Sequence, residues 1–282
     1  MSALSLEYAA PDCDLRDFVS VFYDFRADLP LLEDSERADL AQFRFKLSPG
    51  EGSYRFADGT VQAAPETQIV GPTTGMTAVR AVGPVDLFGV GLLPAGWAAL
   101  MGIDASTMVN RVVDAQALFG RRMSETAAQL RAASTLDARV AIGNTLIRAL
   151  VAEAKDMPVN FTRIVDHWLE RADSPDVETL VAEAGLSRRQ VERLCKRFYG
   201  APPKMLARKY RALRAAVALA RGDTDMTSVI ARGFYDQSHF IREIKYFTGI
   251  TPSRFTDDLP TLARLTLKRG AVRALRPLIT DT

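Results

Sequence analysis

Histidine is nearly missing from this chain. Its 282 residues contain two, His167 and His239, and neither lies in the strand-like first third. A metal centre built from clustered imidazoles and carboxylates is therefore excluded there, and no metal or cofactor is expected. Cysteine is as scarce: Cys13 and Cys195 cannot build a disulfide framework and fit a reducing compartment. No run of 18 apolar residues occurs, and no basic segment leads into an apolar one. Neither a membrane segment nor export is expected, and the chain is read as cytoplasmic. Phosphate-binding Gly loops, dinucleotide-binding turns, HExxH zinc sites and nucleophile elbows are absent too. Gly89-Val90-Gly91 is too short to count. With so few histidines and cysteines catalysis has little to work with, and the expectation is that the protein is not an enzyme.

What is present is ordinary in amount and uneven in distribution. Hydrophobic residues make up 48% of the chain and charged residues 25%, and the length is enough for two separate cores. The net charge of +2 hides an asymmetry. Residues 1–120 carry eight basic and sixteen acidic side chains, whereas residues 176–256 carry fifteen and eight. Between Ser187 and Arg214 stand ten basic residues and one acid, Glu192. Any polyanionic partner thus belongs to the second half.

The first 93 residues read as strands. The run Phe18 to Phe25 is aromatic and β-branched, and Gln42 to Leu47 alternates, with Phe43, Phe45 and Leu47 on one face. Ser53 to Phe56, Gln68 to Val70, Met76 to Val82 and Val85 to Leu93 follow, with Asp58-Gly59 as a tight hairpin signal. Many short strands with Gly/Pro punctuation suggest a sandwich or small barrel. Leu29 to Asp39 reads as a solvated acidic loop. Arg44 and Lys46 alternate with core residues and are expected to face water, with the grip of an anionic effector as the other option. Phe22, Tyr23, Phe43, Phe45, Tyr54 and Phe56 are candidates to line a pocket for an organic ligand; the plainer alternative is that they are core.

From Pro94 the period changes to helical. Ala95 to Met101 is a short helix stopped at Gly102, and Thr107 to Val113 is ambiguous. Ser124 to Ala132 and Leu136 to Ala154 form an apolar helix pair. That pair either packs on its own domain or makes a dimer seam, and the seam is the preferred reading. Lys155 to Asn160 reads as a linker, and Phe161 to Ala172 as the first helix of a second domain.

Residues 176–256 contain one pattern twice. A short helix, a glycine and a longer capped helix run from Val177 through Gly185 to Ser187–Phe198, and again from Met226 through Gly233 to Asp236–Phe247. Val191, Leu194, Cys195 and Phe198 form the buried stripe of the first long helix, and Phe240, Ile241, Ile244 and Phe247 that of the second. The opposite faces present Arg and Gln from the first turns, which suits entry into a major groove. A solvated amphipathic helix is the bland reading of either copy; two matched copies with this cation density weigh against it.

The segments Gly233-Phe234-Tyr235-Asp236-Gln237-Ser238-His239-Phe240 and Phe247-Thr248-Gly249-Ile250-Thr251-Pro252 resemble the C-terminal signature of AraC/XylS transcriptional regulators. The resemblance implies two helix-turn-helix units joined by a connecting helix near Pro203–Arg221. It places base contacts at Arg189, Glu192 and Arg193 of the first recognition helix and Gln237, Ser238 and Arg242 of the second. Arg188, Lys196, Arg197, Lys204, Lys209 and Lys245 are the candidate phosphate contacts. Val181 and Val229 stand where the family usually has alanine, and Tyr235 is bulkier than usual.

The fold expected is α+β: a cupin-like β-barrel or sandwich, then helices, then an all-α domain with two helix-turn-helix motifs. The expected divisions are a regulatory domain at 1–120, a helical connector at 121–157, a DNA-binding domain at 158–258 and a basic tail at 259–282. That tail is read as docked or frayed, with added DNA backbone contact as the alternative. The expected partners are double-stranded DNA, a small-molecule effector, RNA polymerase and a second copy of the chain. A protein-binding helix-turn-helix module and, last, a cupin-type enzyme are the alternatives.

Overall fold

A computed structural model describes residues 4–154, 157–171, 174–222, 225–255, 259–272, 275 and 279. Of the expected linker, Lys155 and Asp156 lie outside the described residues, as do Ala172 at the end of the expected helix and, in the tail, Arg273 and Arg276. Strands and α-helices are numbered below in chain order.

The first half is two antiparallel sheets. The larger has the order β1 (Leu4–Ala9), β2 (Val19–Ala27), β9 (Val85–Leu92), β4 (Gln42–Lys46), β7 (Thr67–Val70) and β10 (Val112–Asp114). The smaller has the order β3 (Leu31–Glu36), β8 (Thr77–Val82), β5 (Gly52–Arg55) and β6 (Val61–Ala63). Strand β3 lies within the stretch expected to be a solvated loop. Leu31 to Glu36 pair residue for residue with Val82 to Thr77, so the acids Glu33 and Asp34 belong to a strand of mixed burial.

Strand period explains the layers. Phe22, Phe43, Phe45, Ile69, Phe88 and Val90 belong to one large core with the helices α3 (Arg121–Ala132) and α4 (Leu136–Ala152). Their neighbours along the strands, Tyr23, Phe25, Gln42, Arg44, Gln68 and Leu87, line the space between the two sheets, as alternation requires. Arg44 is therefore not in water: it is 5% exposed. The alternation placed it opposite Phe43 and Phe45, but that opposite face is roofed by the second sheet.

The helix pair is spent on its own domain. Met123, Ala127, Leu130, Leu146, Ile147 and Leu150 are buried in the same core as Phe22 and Phe88. Gly143 makes the approach possible, since a Cβ there would meet the Phe22 ring at 2.7 Å. This corrects the expected dimer seam: the stripe that was to cover a partner covers the large sheet. Arg139 of α4, 3% exposed, fixes the helix by donating from Nη1 to Asp24 and from Nη1 and Nη2 to the Asp86 carboxylate at 2.7 and 2.9 Å.

Between the sheets and this pair run α1 (Pro94–Met101), closed by Gly102 at φ 62°, and α2 (Ala115–Phe119). The second half is helical: α5 (Val159–Arg171), α6 (Val177–Ala184), α7 (Arg188–Tyr199), α8 (Pro203–Arg221), α9 (Met226–Gly233) and α10 (Gln237–Thr248). Trp168, Leu169, Leu180, Val191, Cys195 and Phe198 make one small core, to which α8 adds Leu206 and Tyr210. Burial pushes the Cys195 thiol up to about 12, which leaves it an inert core group. Leu213 and Ala216, further along α8, join Val229, Phe240, Ile244 and Phe247 in another core. One helix thus serves both motifs. No described helix is long and apolar enough to cross a membrane.

After the second motif the tail returns to the sandwich. Leu262 and Leu265 of α11 (Thr261–Thr266) pack with Leu6, Phe25 and Leu32. Leu275 and Ile279 join Val21, Leu40 and Leu93. Of the readings left open for the tail, its described residues take the docked one.

Candidate nucleic-acid interface

The first recognition helix begins with a reciprocal cap. Ser187 N–H donates to Gln190 Oε1 at 2.9 Å, and Gln190 N–H donates to Ser187 Oγ at 3.4 Å, an arrangement that fixes the start of a helix. Gly185, at φ 62°, supplies the left-handed residue that ends α6. The second motif turns differently. Gly233 is still helical, and Phe234, at φ −119°, leads out in extended backbone. Gly233 lies close to α8: a Cβ there would stand 2.8 Å from Arg211 Cδ, so the arginine side chain would have to shift. Asp236 then caps α10, accepting from His239 N–H at 2.6 Å. Tyr235 is 92% exposed, so its bulk is accommodated in solvent.

The base-contact candidates Arg189, Arg193, Gln237, Ser238 and Arg242 are exposed, and Glu192 is half-buried. The phosphate candidates divide. Lys196, Lys204 and Lys245 are exposed. Arg188 is exposed but paired with Glu178 of α6. Arg197 is half-buried, lies over the Phe198 ring at 5.3 Å and reaches Asp104 of the first half at 3.8 Å.

Lys209 requires a correction. It is 6% exposed and donates from Nζ to the backbone oxygens of Asp39 at 2.6 Å and Thr73 at 3.1 Å. It joins α8 to the sandwich and presents nothing to phosphate. Its spacing in a cationic run carried no sign of this, because the acceptors are main-chain atoms some 136 and 170 positions away. Burial pushes its amine down to about 8, against the pull of the Asp39 carboxylate.

This amine supports a stability prediction. Lys209→Met is expected to cost about 1–3 kcal/mol, because two buried carbonyls lose their donor. In wild type the buried amine releases its proton more readily than in the unfolded chain. Between about 8 and the ordinary 10.5 the unfolded chain holds more protons, so stability contributed here rises with pH. Urea midpoints of the two proteins, compared across that window, should diverge in favour of wild type; a constant gap refutes the assignment.

The apolar stripe of α10 also shifts by one residue from the sequence reading. Ile241 is 36% exposed, whereas Glu243 is 5% exposed. Phe240, Glu243, Ile244 and Phe247 therefore keep the spacing i, i+3, i+4, i+7. Glu243 accepts from Arg208 Nε at 3.0 Å and Nη2 at 2.7 Å, with Arg211 at 3.8 Å. This bidentate pair sets α10 against α8. An acid at a stripe position of a basic helix was the signal available, and it is weak without a known partner.

Both recognition helices end against one loop of the sandwich. At Gly200, which terminates α7, a Cβ would lie 3.2 Å from Pro72 Cγ. Thr73 receives Lys209. Met76 N–H donates to the Tyr246 carbonyl of α10 at 3.0 Å, and Ala38 N–H donates to that of Phe247 at 2.7 Å. Residues 72–76 therefore touch α7, α8 and α10 in turn.

The aromatic pocket candidates also divide. Tyr23 and Tyr54 line the space between the sheets. Phe22, Phe43 and Phe45 face α3 and α4 instead, and Phe56 packs with Tyr54, Val70 and Val112 outside that lining. Residue type marked these six alike; strand parity separates Tyr23 from Phe22, and Phe56 falls past the end of β5 at Arg55.

Residues 180–258 match the model of a helix-turn-helix domain. Residues 180–258 of this chain are accordingly a helix-turn-helix domain, the stretch that carries its resemblance to AraC/XylS regulators. It is 31% identical over 87 residues to the bifunctional transcriptional activator/DNA repair enzyme Ada of Escherichia coli, and 34% identical over 104 residues to the F1 operon positive regulatory protein of Yersinia pestis. The matched segments are 31% and 36% of this chain and 25% and 34% of those two relatives. The probable transcription factor PqrA of Proteus vulgaris is 28% identical over 107 residues, which are 36% of this chain and 88% of that protein. Among solved structures, apo ToxT of Vibrio cholerae aligns over 90% of this chain and 97% of its own, with 7% identity and a TM-score of 0.46.

Proposed function

We propose that the chain is a cytoplasmic transcriptional regulator that binds double-stranded DNA in a sequence-specific way, reading successive major grooves with α7 and α10. The divisions proposed are residues 1–120 as regulatory domain, 121–157 as connector and 158–258 as DNA-binding domain. The observation that carries the reading is the pair of capped helices within the matched domain, each presenting exposed Arg or Gln from its first turns. Control through the sandwich, by a small molecule or a partner, is supported by the 72–76 loop against which both recognition helices rest. Contact with RNA polymerase and homodimerisation belong to the same reading, the dimer forming through faces other than the apolar stripe of α3 and α4.

Anisotropy titrations on selected operator DNA and on random DNA test it. Arg193→Ala and Arg242→Ala should each weaken operator binding by about 1–3 kcal/mol and relax preference at one position. Lys204→Ala should weaken both DNAs alike and lower the salt slope by about 1. Equal losses on operator and random DNA for the two arginine variants would remove them from base reading.

A further inference from the structure

The two recognition helices are one device built twice, and their caps fix the register between them. Ser187 opens α7 and Asp236 opens α10, each accepting from the backbone N–H three residues on. Gly200 closes the first at φ 78° and Gly249 the second at φ 76°. In that register Val191, Cys195 and Phe198 stand level with Phe240, Ile244 and Phe247, all of them buried. Arg193 is then matched by Arg242, and Glu192 by Ile241.

The last pairing sets an aliphatic side chain against a carboxylate. Among the described residues Ile241 joins no apolar core, whereas Phe240 and Ile244 of the same helix do. It stands at 36% exposure on the face it shares with Gln237 and Ser238 before it and Lys245 after it, at spacings of three and four. Those residues and the adjoining Arg242 are exposed as well. A lone isoleucine at a protein surface is ordinary; what gives this one meaning is its company. It lies in the middle of the polar face that α10 presents from its first turns, and helix preference there favours Arg, Lys or Gln over a β-branched residue. Its stiff χ1 holds the two branches in one place, so little side-chain freedom is left to lose on contact.

Among the base edges of a major groove, the apolar feature is the C5-methyl group of thymine. A carboxylate at the matched place in α7 suits a different edge, the amino group of cytosine. The two helices therefore repeat an arginine and differ in the chemistry of the residue just before it.

We propose that Ile241 is a specificity-determining residue that reads a thymine through its C5-methyl group. With Glu192 at the matched place in α7, the two halves of the operator are read by unlike groups, and the site has a direction. The assignment rests on the proposed entry of α10 into a major groove.

The test uses the full chain and an operator selected from random duplex DNA, with each thymine replaced in turn by deoxyuridine. That change removes the methyl group and leaves the pairing edge intact. At or next to the base pair where Arg242→Ala relaxes preference, one replacement should weaken binding about fourfold, the loss of one buried methyl. In Ile241→Ala the same replacement should have no effect, and in Ile241→Val it should keep most of its effect. A side chain that only packs or touches phosphate would lower affinity for both DNAs alike. Ile241→Glu should move the preference at that base pair from thymine to cytosine. If a variant fails to fold, the deoxyuridine series on wild type still decides. No thymine near the Arg242 position whose methyl group matters, or a methyl effect that persists in Ile241→Ala, overturns the assignment. A selected operator that tolerates deoxyuridine throughout removes Ile241 alone from base reading. A wild-type chain that selects no operator removes the DNA-reading proposal, and this one with it.

Discussion

Phe247→Ala is expected to cost about 3–5 kcal/mol and to abolish reading by the second recognition helix while sparing the first. Phe247 is fully buried in the core that α8 shares with α9 and α10. Its ring meets Tyr246 edge-on at 4.9 Å, and Arg208 lies 6.0 Å above it. Its carbonyl accepts from Ala38 of the sandwich. Truncation leaves a cavity where three helices converge; the backbone bond from Ala38 survives in alanine, but the ring that packs α10 against α8 and α9 is lost. The first motif has its own core around Trp168 and Phe198, so it should survive. Chemical denaturation gives the stability loss, and footprinting should show protection kept over the part read by α7 alone. Protection lost evenly over the whole site would mean that the two motifs fold as one unit.

The second large effect is expected in the other half. Arg139→Met should cost about 3 kcal/mol, the lower end for breaking a buried ion pair. Asp24 is 5% exposed and would lose its buried partner, but it keeps Arg26 at 3.1 Å, which moderates the loss. Removing the carboxylate as well, in Arg139→Met with Asp24→Asn, should restore part of the stability, because the cost comes from the stranded charge rather than from lost attraction. Urea unfolding of the single and double variants measures this. A double variant no better than the single would place the cost in packing of the arginine stem. Neither variant should alter DNA affinity of the folded protein, since α4 lies on the sheet away from α7 and α10.

The two halves were legible to different degrees, for physical reasons. Helix signals are local: Ser187 with Gln190, Asp236 with His239, and an apolar residue every three or four positions act within a few residues. The connecting helix accordingly spans Pro203–Arg221 as expected. Strand alternation is local as well, but it assigns two faces without saying what covers each. Arg44 shows the consequence, since its face was identified and its environment was not. The helix pair after it shows the same limit, with an apolar stripe that was real and a covering partner that was its own sheet. Leu31 to Glu36 was missed as a strand because its acids are tolerated at one edge of the small sheet, beside β8.

What the chain determined by itself is the double motif, the basic character of its second half and the scarcity of histidine and cysteine, because each follows from residue type and short spacing. What the tertiary structure decided is which cations are free for a partner and what encloses the space between the sheets. Lys209 became a bolt between the halves through two carbonyl oxygens, and the tail docked through Asp34 of β3 and Asp39 in the turn after it, more than 200 residues earlier. Such contacts depend on chain segments that meet only after folding, and side chains of one type along a sequence do not record which of them will be covered.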